Sequence, residues 1–169
     1  MNKVSSLIYG FGGHGKVLAE ALTFNAEFIV GVFDDQPIES TRNVIYLGTY
    51  NPNIYPELPI ILGVGNNNVR KQLLQFIKHR FQSFIHPSAQ VAKSVKIGKG
   101  SVILQNAVIQ ANSVIGDHVI INMGSMVDHD NIVKDFVHVS PLCYVGSNSI
   151  ISELTCLEPC SRIARFSQV

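Results

Sequence analysis

Residues 103–133 read Ile103-Leu-Gln-Asn-Ala-Val-Ile109-Gln-Ala-Asn-Ser-Val-Ile115-Gly-Asp-His-Val-Ile-Ile121-Asn-Met-Gly-Ser-Met-Val127-Asp-His-Asp-Asn-Ile-Val133, with an aliphatic residue at every sixth position. The register runs outward in both directions: Ile85, Val91 and Ile97 precede it, and Val139, Val145, Ile151, Leu157, Ile163 and Val169 follow. A period of six is neither the 3.6 of a helix nor the 2 of an isolated strand. It marks hexapeptide coils wound into a parallel β-helix, in which no single coil buries its own apolar face and stacking supplies the core. A sandwich of ordinary short strands would need turn signals at uneven spacing, and none interrupts this run.

The position four residues after each aliphatic site holds Ala89, Val95, Ser101, Ala107, Ser113, Val119, Ser125, Asn131, Val137, Cys143, Ser149, Thr155, Ser161 and Ser167. All but Asn131 are small or β-branched, as a tight interior corner requires. Gly98, Gly116 and Gly146 directly follow aliphatic sites, and we read them as turn positions where glycine tolerates positive φ.

The 169 residues are 46% hydrophobic and 15% charged, with a net charge of +1. Mean hydropathy is +0.22. One or two small domains with a real core are expected. No basic stripe with interleaved aromatics points to nucleic acid, and no apolar run has the length of a membrane span. No signal-peptide pattern opens the chain, so a cytoplasmic protein is expected. Cys143 sits at a corner position and reads as packing. Cys156 and Cys160 lack further ligands at metal spacing, so neither a metal site nor a disulfide is assigned.

The segment before the repeats is of another kind. Ser6–Tyr9 reads as a strand, Lys16–Phe24 as a helix, Phe28–Phe33 as a strand, Pro59–Val64 as a strand and Val69–His79 as a helix. We expect a small Rossmann-like βαβαβ domain with a parallel sheet over residues 1–82, followed by the β-helix over 83–169. Gly10, Gly12 and Gly15 match G-x-G-x-x-G, and Asp34 lies at a strand end 19 residues beyond Gly15. Taken alone, the pattern suggests a dinucleotide with Asp34 on the ribose. Its general content is a backbone turn and helix N-terminus that accept a phosphate. Only one mononucleotide half fits before the repeats, which favours a nucleotide diphosphate over NAD. A ligand-free strand–helix turn is the plain alternative.

Several words along the chain carry a resemblance: Tyr9-Gly-Phe-Gly-Gly-His-Gly-Lys16, Phe33-Asp-Asp35, Gly63-Val-Gly-Asn-Asn67 with Arg70, and Ile85-His-Pro-Ser-Ala89. Within the repeats they are Ile121-Asn122, Val127-Asp-His-Asp130 and His138-Val-Ser-Pro141. In these words the chain resembles the bacterial nucleotide-sugar acetyltransferases of the NeuD and PglD type, with a left-handed β-helix. The resemblance implies a homotrimer that takes acetyl-CoA as co-substrate, uses no metal and acts on a UDP-linked amino sugar in glycan synthesis. Carried over by position, His129 resembles the general base, with Asp130 beside it. His138, Gly146 and Ser147 resemble parts of the acetyl-CoA site. Gly13, His14, Gly15, Asp34, Asp35, Asn66, Asn67, Arg70 and Asn122 resemble the nucleotide-sugar site. Two departures stand out. Leu142 and Ser147 stand where such proteins commonly have glycine. Relatives also continue for several coils past the position of Val169, which implies a truncated sequence.

A thioester is already activated, so the chemistry needs a base for the acceptor and donors for the oxyanion. A neutral imidazole suits the first task and backbone N–H groups the second. The imidazoles His129 and His138 lie on successive hexads and are expected on adjacent faces of the prism. His118 and His79 lack a supporting motif and read as surface residues. His86 and His14 are open between substrate-facing and structural roles. N-acetylation of a UDP-4-amino sugar is the favoured activity. O-acetylation of a sialic acid, a non-catalytic nucleotide-sugar-binding protein and an NAD-dependent enzyme are the alternatives.

Overall fold

The computed structural model describes residues 5–24, 28–40 and 44–169. It divides into two units, Met1–Gln82 and Ser83–Val169; residues 1–4, at the start of the first, lie outside the described residues.

The second unit is a left-handed parallel β-helix. Among the described residues, fourteen two-residue strands form three faces. The first face stacks β4 (Phe84–Ile85), β7 (Val102–Ile103), β10 (Ile120–Ile121), β13 (His138–Val139) and β16 (Cys156–Leu157). The second stacks β5 (Gln90–Val91), β8 (Val108–Ile109), β11 (Met126–Val127), β14 (Tyr144–Val145) and β17 (Arg162–Ile163). The third stacks β6 (Lys96–Ile97), β9 (Val114–Ile115), β12 (Ile132–Val133) and β15 (Ile150–Ile151). Ile120 pairs with His138, Met126 with Tyr144 and Ile132 with Ile150, so each residue meets the one 18 further on, three hexads to a coil. The hexad aliphatics from Ile103 to Leu157 form one buried cluster with Ala107, Val119, Val137 and Cys143. Each such side chain contributes about 1.5–3 kcal/mol by leaving water.

The corner residues do more than fit. Ser101, Ser113, Ser125 and Ser149 are buried. Each hydroxyl donates to the carbonyl 15 residues on: Gly116, Asp128, Ser140 and Ala164, at 2.7–3.1 Å. Each also accepts the amide 18 residues on: Val119, Asn131, Cys143 and Ser167, at 2.9–3.3 Å. The Cys143 thiol donates to the Glu158 carbonyl in the same way, so its place at a corner is one of packing and bonding together. Burial pushes that thiol's pKa up.

The glycine reading needs correction. Gly98, Gly116 and Gly146 do not have positive φ. They are required because the next coil passes too close: a Cβ on Gly116 would stand 2.8 Å from the Asp135 nitrogen, and one on Gly146 would stand 2.6 Å from the Arg165 nitrogen. The left-handed turn lies instead three residues after the aliphatic site. It is occupied by Gly100, Asn106, Asn112, His118, Gly124, Asp130, Phe136, Leu142, Asn148, Leu154, Cys160 and Phe166, with φ between 54° and 68°. Stacking between coils holds even Leu142 and Phe136 in a conformation that costs a bulky residue energy.

The first unit has a three-stranded parallel sheet in the order β2-β1-β3, with β1 at Ser5–Tyr9, β2 at Phe28–Phe33 and β3 at Ile60–Leu62. Helix α1 spans Gly13–Thr23 and α2 spans Asn67–Leu73. α1 starts three residues earlier than expected, because Gly12 serves as its N-cap and its first turn runs straight out of the glycine loop. α2 is shorter than expected, and its cap is the Asn66 side chain, which accepts the Val69 amide at 3.0 Å. The element order among the described residues is β1-α1-β2-β3-α2. Pro37, Pro52 and Pro56 lie in the β2–β3 connection, whose described residues run as irregular chain touching the sheet edge at the bridge Val32–Tyr46.

Replacing Ser125 by Ala strips the Cys143 amide and the Ser140 carbonyl of a buried partner. We expect a loss of about 1–3 kcal/mol in urea unfolding of the β-helix, whereas an unchanged midpoint would show that the corner hydroxyls only fill space.

Candidate functional site

Two constellations stand out, one in each unit. In the first, the loops leaving β1, β2 and β3 meet at the carboxyl end of the parallel sheet, the edge where open α/β sheets bind ligands. Backbone closeness dictates the glycines. A Cβ on Gly63 would lie 2.3 Å from the Gly10 oxygen and 2.8 Å from the Gly15 Cα, and Gly10 has φ +90°. Gly10, Gly15 and Gly63 are thus fixed by their own packing. Gly12 and Gly13 are different: a Cβ on either would meet nothing within 4 Å. They present the open start of α1, whose N-cap provides no side-chain bond, to whatever approaches.

The polar residues brace this edge. Asp34 accepts the Phe11 amide at 2.6 Å and the Gln36 amide at 2.8 Å, tying the glycine loop to the end of β2. The Tyr9 hydroxyl donates to the Asp35 carboxylate at 2.9 Å. Burial, reinforced by Asp35, pushes the Tyr9 pKa up to about 12. Arg70 is buried and donates to the Val64 and Gly65 carbonyls at 3.2 and 2.8 Å and to Asn67 Oδ1 at 2.8 Å. The geometry therefore gives Asn66, Asn67 and Arg70 a part in shaping the Gly63–Gly65 loop. His14 sits in the first turn of α1, with its Cβ 3.6 Å from where a Cβ on Gly65 would be.

In the second unit the corner between the second and third faces carries Asp128-His129-Asp130, directly after β11. Asp130 takes the left-handed turn with φ +57°, which places its Oδ2 2.6 Å from His129 Nδ1. Asn112, one coil earlier, donates to Asp130 Oδ1 at 3.1 Å. These bonds, the His129 contact first, hold the Asp130 carboxyl below the usual carboxylate range. In the neutral ring, Nδ1–H donating to Asp130 leaves His129 Nε2 as an acceptor on a half-exposed side chain. Ser147 lies one coil above His129 and Gly146 one coil above Asp128; the Asn148 amide donates to the His129 carbonyl at 3.3 Å. The corner thus brings His129, Asp130, Gly146 and Ser147 together.

His138 is elsewhere. It belongs to β13 on the first face, half a coil from the His129 corner between the second and third faces, so the two imidazoles stand on different faces. Asn122, one coil earlier, has its amide nitrogen 3.0 Å from His138 Nε2 and its Oδ1 on the Met123 amide at 2.8 Å. This fixes Nε2 as acceptor in the neutral ring. Within one chain Asn122 and His138 form one pair and His129 and Asp130 another.

Two histidines expected at the surface are buried. His118 takes a left-handed corner and stacks on Phe136 one coil later, with centroids 5.3 Å apart and planes 6° apart. Room for its ring comes from Gly100, where a Cβ would lie 2.4 Å from it. Spacing by 18 from Gly100 and Phe136 is the signal that could have found it. His79 meets the Tyr50 hydroxyl at Nδ1 (2.8 Å) and the Ile54 and Tyr55 carbonyls at Nε2 (3.1 and 3.2 Å). Those partners come from a loop some 25 residues away, beyond what spacing reveals. His86 Nδ1 contacts the Ser88 hydroxyl at 2.8 Å and accepts the Ser88 amide at 3.1 Å, so it anchors the first coil's turn. Among the described residues no group of His, Cys, Asp and Glu is placed to hold a metal, and no helix is long and apolar enough to cross a membrane.

Known proteins resemble this chain in both units. Residues 6–77 match the PglD N-terminal domain, and residues 94–129 match the bacterial transferase hexapeptide (six repeats). The acetyltransferase domain of PglB from Neisseria gonorrhoeae is 30% identical, with a TM-score of 0.77 over 98% of this chain and 90% of that one. The chain belongs to the hexapeptide-repeat acyltransferases of the NeuD/PglD type. A GDP-perosamine N-acetyl transferase variant from Caulobacter crescentus, solved in complex with CoA and GDP-perosamine, is 27% identical. Its TM-score is 0.92, over 99% of this chain and 83% of that one. The UDP-N-acetylbacillosamine N-acetyltransferase of Bacillus subtilis is 41% identical over 108 residues, 57% of this chain and half the length of that protein.

The Tyr9 assignment is open to a direct check. A pKa raised above the ordinary phenol value means that the neutral form is favoured in the fold. Its stabilising effect is complete below pH 10 and is lost as pH climbs towards 12. In an absorbance titration at alkaline pH, Tyr9→Phe is expected to remove the latest-titrating phenol among the five tyrosines. Loss of an early-titrating one would contradict the buried Tyr9–Asp35 bond.

Proposed function

We propose that this chain is an acetyl-CoA-dependent acetyltransferase that acts on the amino group of a nucleotide-linked sugar, a UDP-4-amino sugar in the first instance, in bacterial glycan synthesis. The observation that carries the reading is the His129–Asp130 pair. It is a half-exposed imidazole in one defined tautomer, with Nε2 free to accept a proton, on the corner of a hexapeptide coil.

In this reading the amine nitrogen attacks the thioester carbonyl carbon and His129 Nε2 takes the amine proton. The carbon–sulfur bond then breaks and the proton passes to the departing CoA thiolate. Asp130 holds the ring and stabilises the imidazolium. General-base assistance of this kind is worth about 10²–10⁴-fold. Gly146 and Ser147, on the same corner, provide backbone for the thioester. The open Gly12–Gly13 turn and the first turn of α1, with His14 and Gly15, receive the diphosphate. Asp34, Asp35, Asn66, Asn67 and Arg70 shape the nucleotide end.

Since His138 and Asn122 lie half a coil from His129, a site that uses both groups needs two subunits. A homotrimer supplies this. Val114 and Ile132 on the third face and Met126 on the second flank the His129 corner and are 39–48% exposed, apolar surface suited to burial between copies. Residues 1–82 then select the nucleotide sugar and residues 83–169 carry out the transfer. The three cysteines are free, which fits a cytoplasmic protein.

His129→Ala is expected to lower turnover by about 10²–10⁴-fold, while nucleotide-sugar affinity and oligomer mass stay as in the wild type. The readout is mass spectrometry of products from acetyl-CoA and a panel of UDP- and GDP-linked amino sugars. Wild-type turnover in this variant removes His129 from the base role. Absence of any acetylated product across the panel removes the proposed activity.

A further inference from the structure

His129 is flanked by two carboxylates, yet its ring contacts one. An imidazole beside both Asp128 and Asp130 has two acceptors competing for a single N–H. With Asp130 holding the proton at Nδ1 and Asp128 free to draw it to Nε2, the ring would have no single tautomer.

The structure resolves that competition from the neighbouring coil. Tyr144 is the outward residue of β14 and pairs with Met126 of β11. Its hydroxyl donates to Asp128 Oδ2 at 3.1 Å. The other oxygen, Asp128 Oδ1, accepts the His129 backbone amide at 2.8 Å. From the interior, the Asp128 carbonyl accepts the Ser113 hydroxyl and the Asn131 side-chain amide, both at 2.8 Å. Asn131 is itself held by the Ser149 amide on its Oδ1 at 2.8 Å. The peptide between Asp128 and His129 is thus gripped through its carbonyl by the buried corner and through its N–H by a carboxylate. Of these restraints, only the carboxylate's hold depends on an outward side chain of another coil. That side chain's strand is part of the stacked core, so Tyr144 is a firm support.

We propose that Tyr144 is a positioning residue for the transfer step. Through Asp128 it fixes the His129 peptide and keeps Asp128 away from the ring, so that Nδ1 bonds to Asp130 alone and Nε2 stays the acceptor. This rests on the assignment of His129 as the base. The phenol is a neutral donor at neutral pH, and its bond to Asp128 raises its pKa further.

The experiment pairs kinetics with nitrogen-15 NMR of the histidine rings, His129 being assigned by its loss in His129→Ala. Tyr144→Phe keeps the ring and removes one hydroxyl. We expect kcat to fall about tenfold to a hundredfold, the scale of one charge-assisted hydrogen bond, with KM for both substrates within about twofold. The His129 spectrum should move from one tautomer to a mixture. In an Asp128→Asn background, Tyr144→Phe should have no further effect on kcat, since the hydroxyl acts through that carboxylate. A wild-type kcat in Tyr144→Phe overturns the proposal, as does an equal drop in the Asp128→Asn background. An unchanged single tautomer overturns it independently of activity. Should His129→Ala retain turnover, the base assignment fails, and the spectrum still reports whether Tyr144 directs the ring.

Discussion

The serine at an interior corner, donating to a carbonyl 15 residues on and accepting an amide 18 residues on, is the bond on which the β-helix rests. A coil of three two-residue strands has more corner than strand, since only six of its 18 residues lie in strands. Its corner peptides are buried beneath the next coil, and buried peptide groups without partners are costly. Ser101, Ser113, Ser125 and Ser149 meet that cost with one hydroxyl each. They also lock the register at 18, because the same oxygen reaches two points on the neighbouring coil.

From that register the site follows. With 18 residues to a coil, Ser147 stands above His129 and Tyr144 above Met126, while Asn148 is bonded to the His129 carbonyl. The left-handed turn at Asp130 is one of a column with Asn112 and Asn148, residue types that accept positive φ readily. At this turn the fold's geometric demand and the chemistry coincide: the conformation that closes the corner also brings the carboxylate to His129 Nδ1. The same regularity lets Tyr144 reach Asp128 from one coil away.

The N-terminal unit solves a different problem with backbone contact. Gly10, Gly15 and Gly63 allow three chain segments to approach at distances no side chain permits, and Arg70 and Asp34 fasten the loops that result. Gly12 and Gly13 are spared that duty and face open space. A motif that reads in sequence as one string of glycines therefore separates into packing glycines and accessible ones.

Much of this was legible in the residues. The hexad period alone determined the β-helix and its aliphatic core, because a repeat of six has few other solutions. The words around His129 pointed to the corner that carries it. Local spacing failed where partners are distant or stacked. It put His118 and His79 at the surface, though one is sandwiched at a turn between Gly100 and Phe136 and the other is held by Tyr50 and the Ile54–Tyr55 carbonyls. It assigned positive φ to Gly98, Gly116 and Gly146, whose missing side chains answer instead to the backbone of the following coil. Sequence by itself determined the repeat, because periodic burial is a local pattern. Only the tertiary structure decided which carboxylate the imidazole bonds, because that contact is set by the left-handed turn at Asp130, while the 18-residue offset between coils gives Asp128 a separate partner in Tyr144.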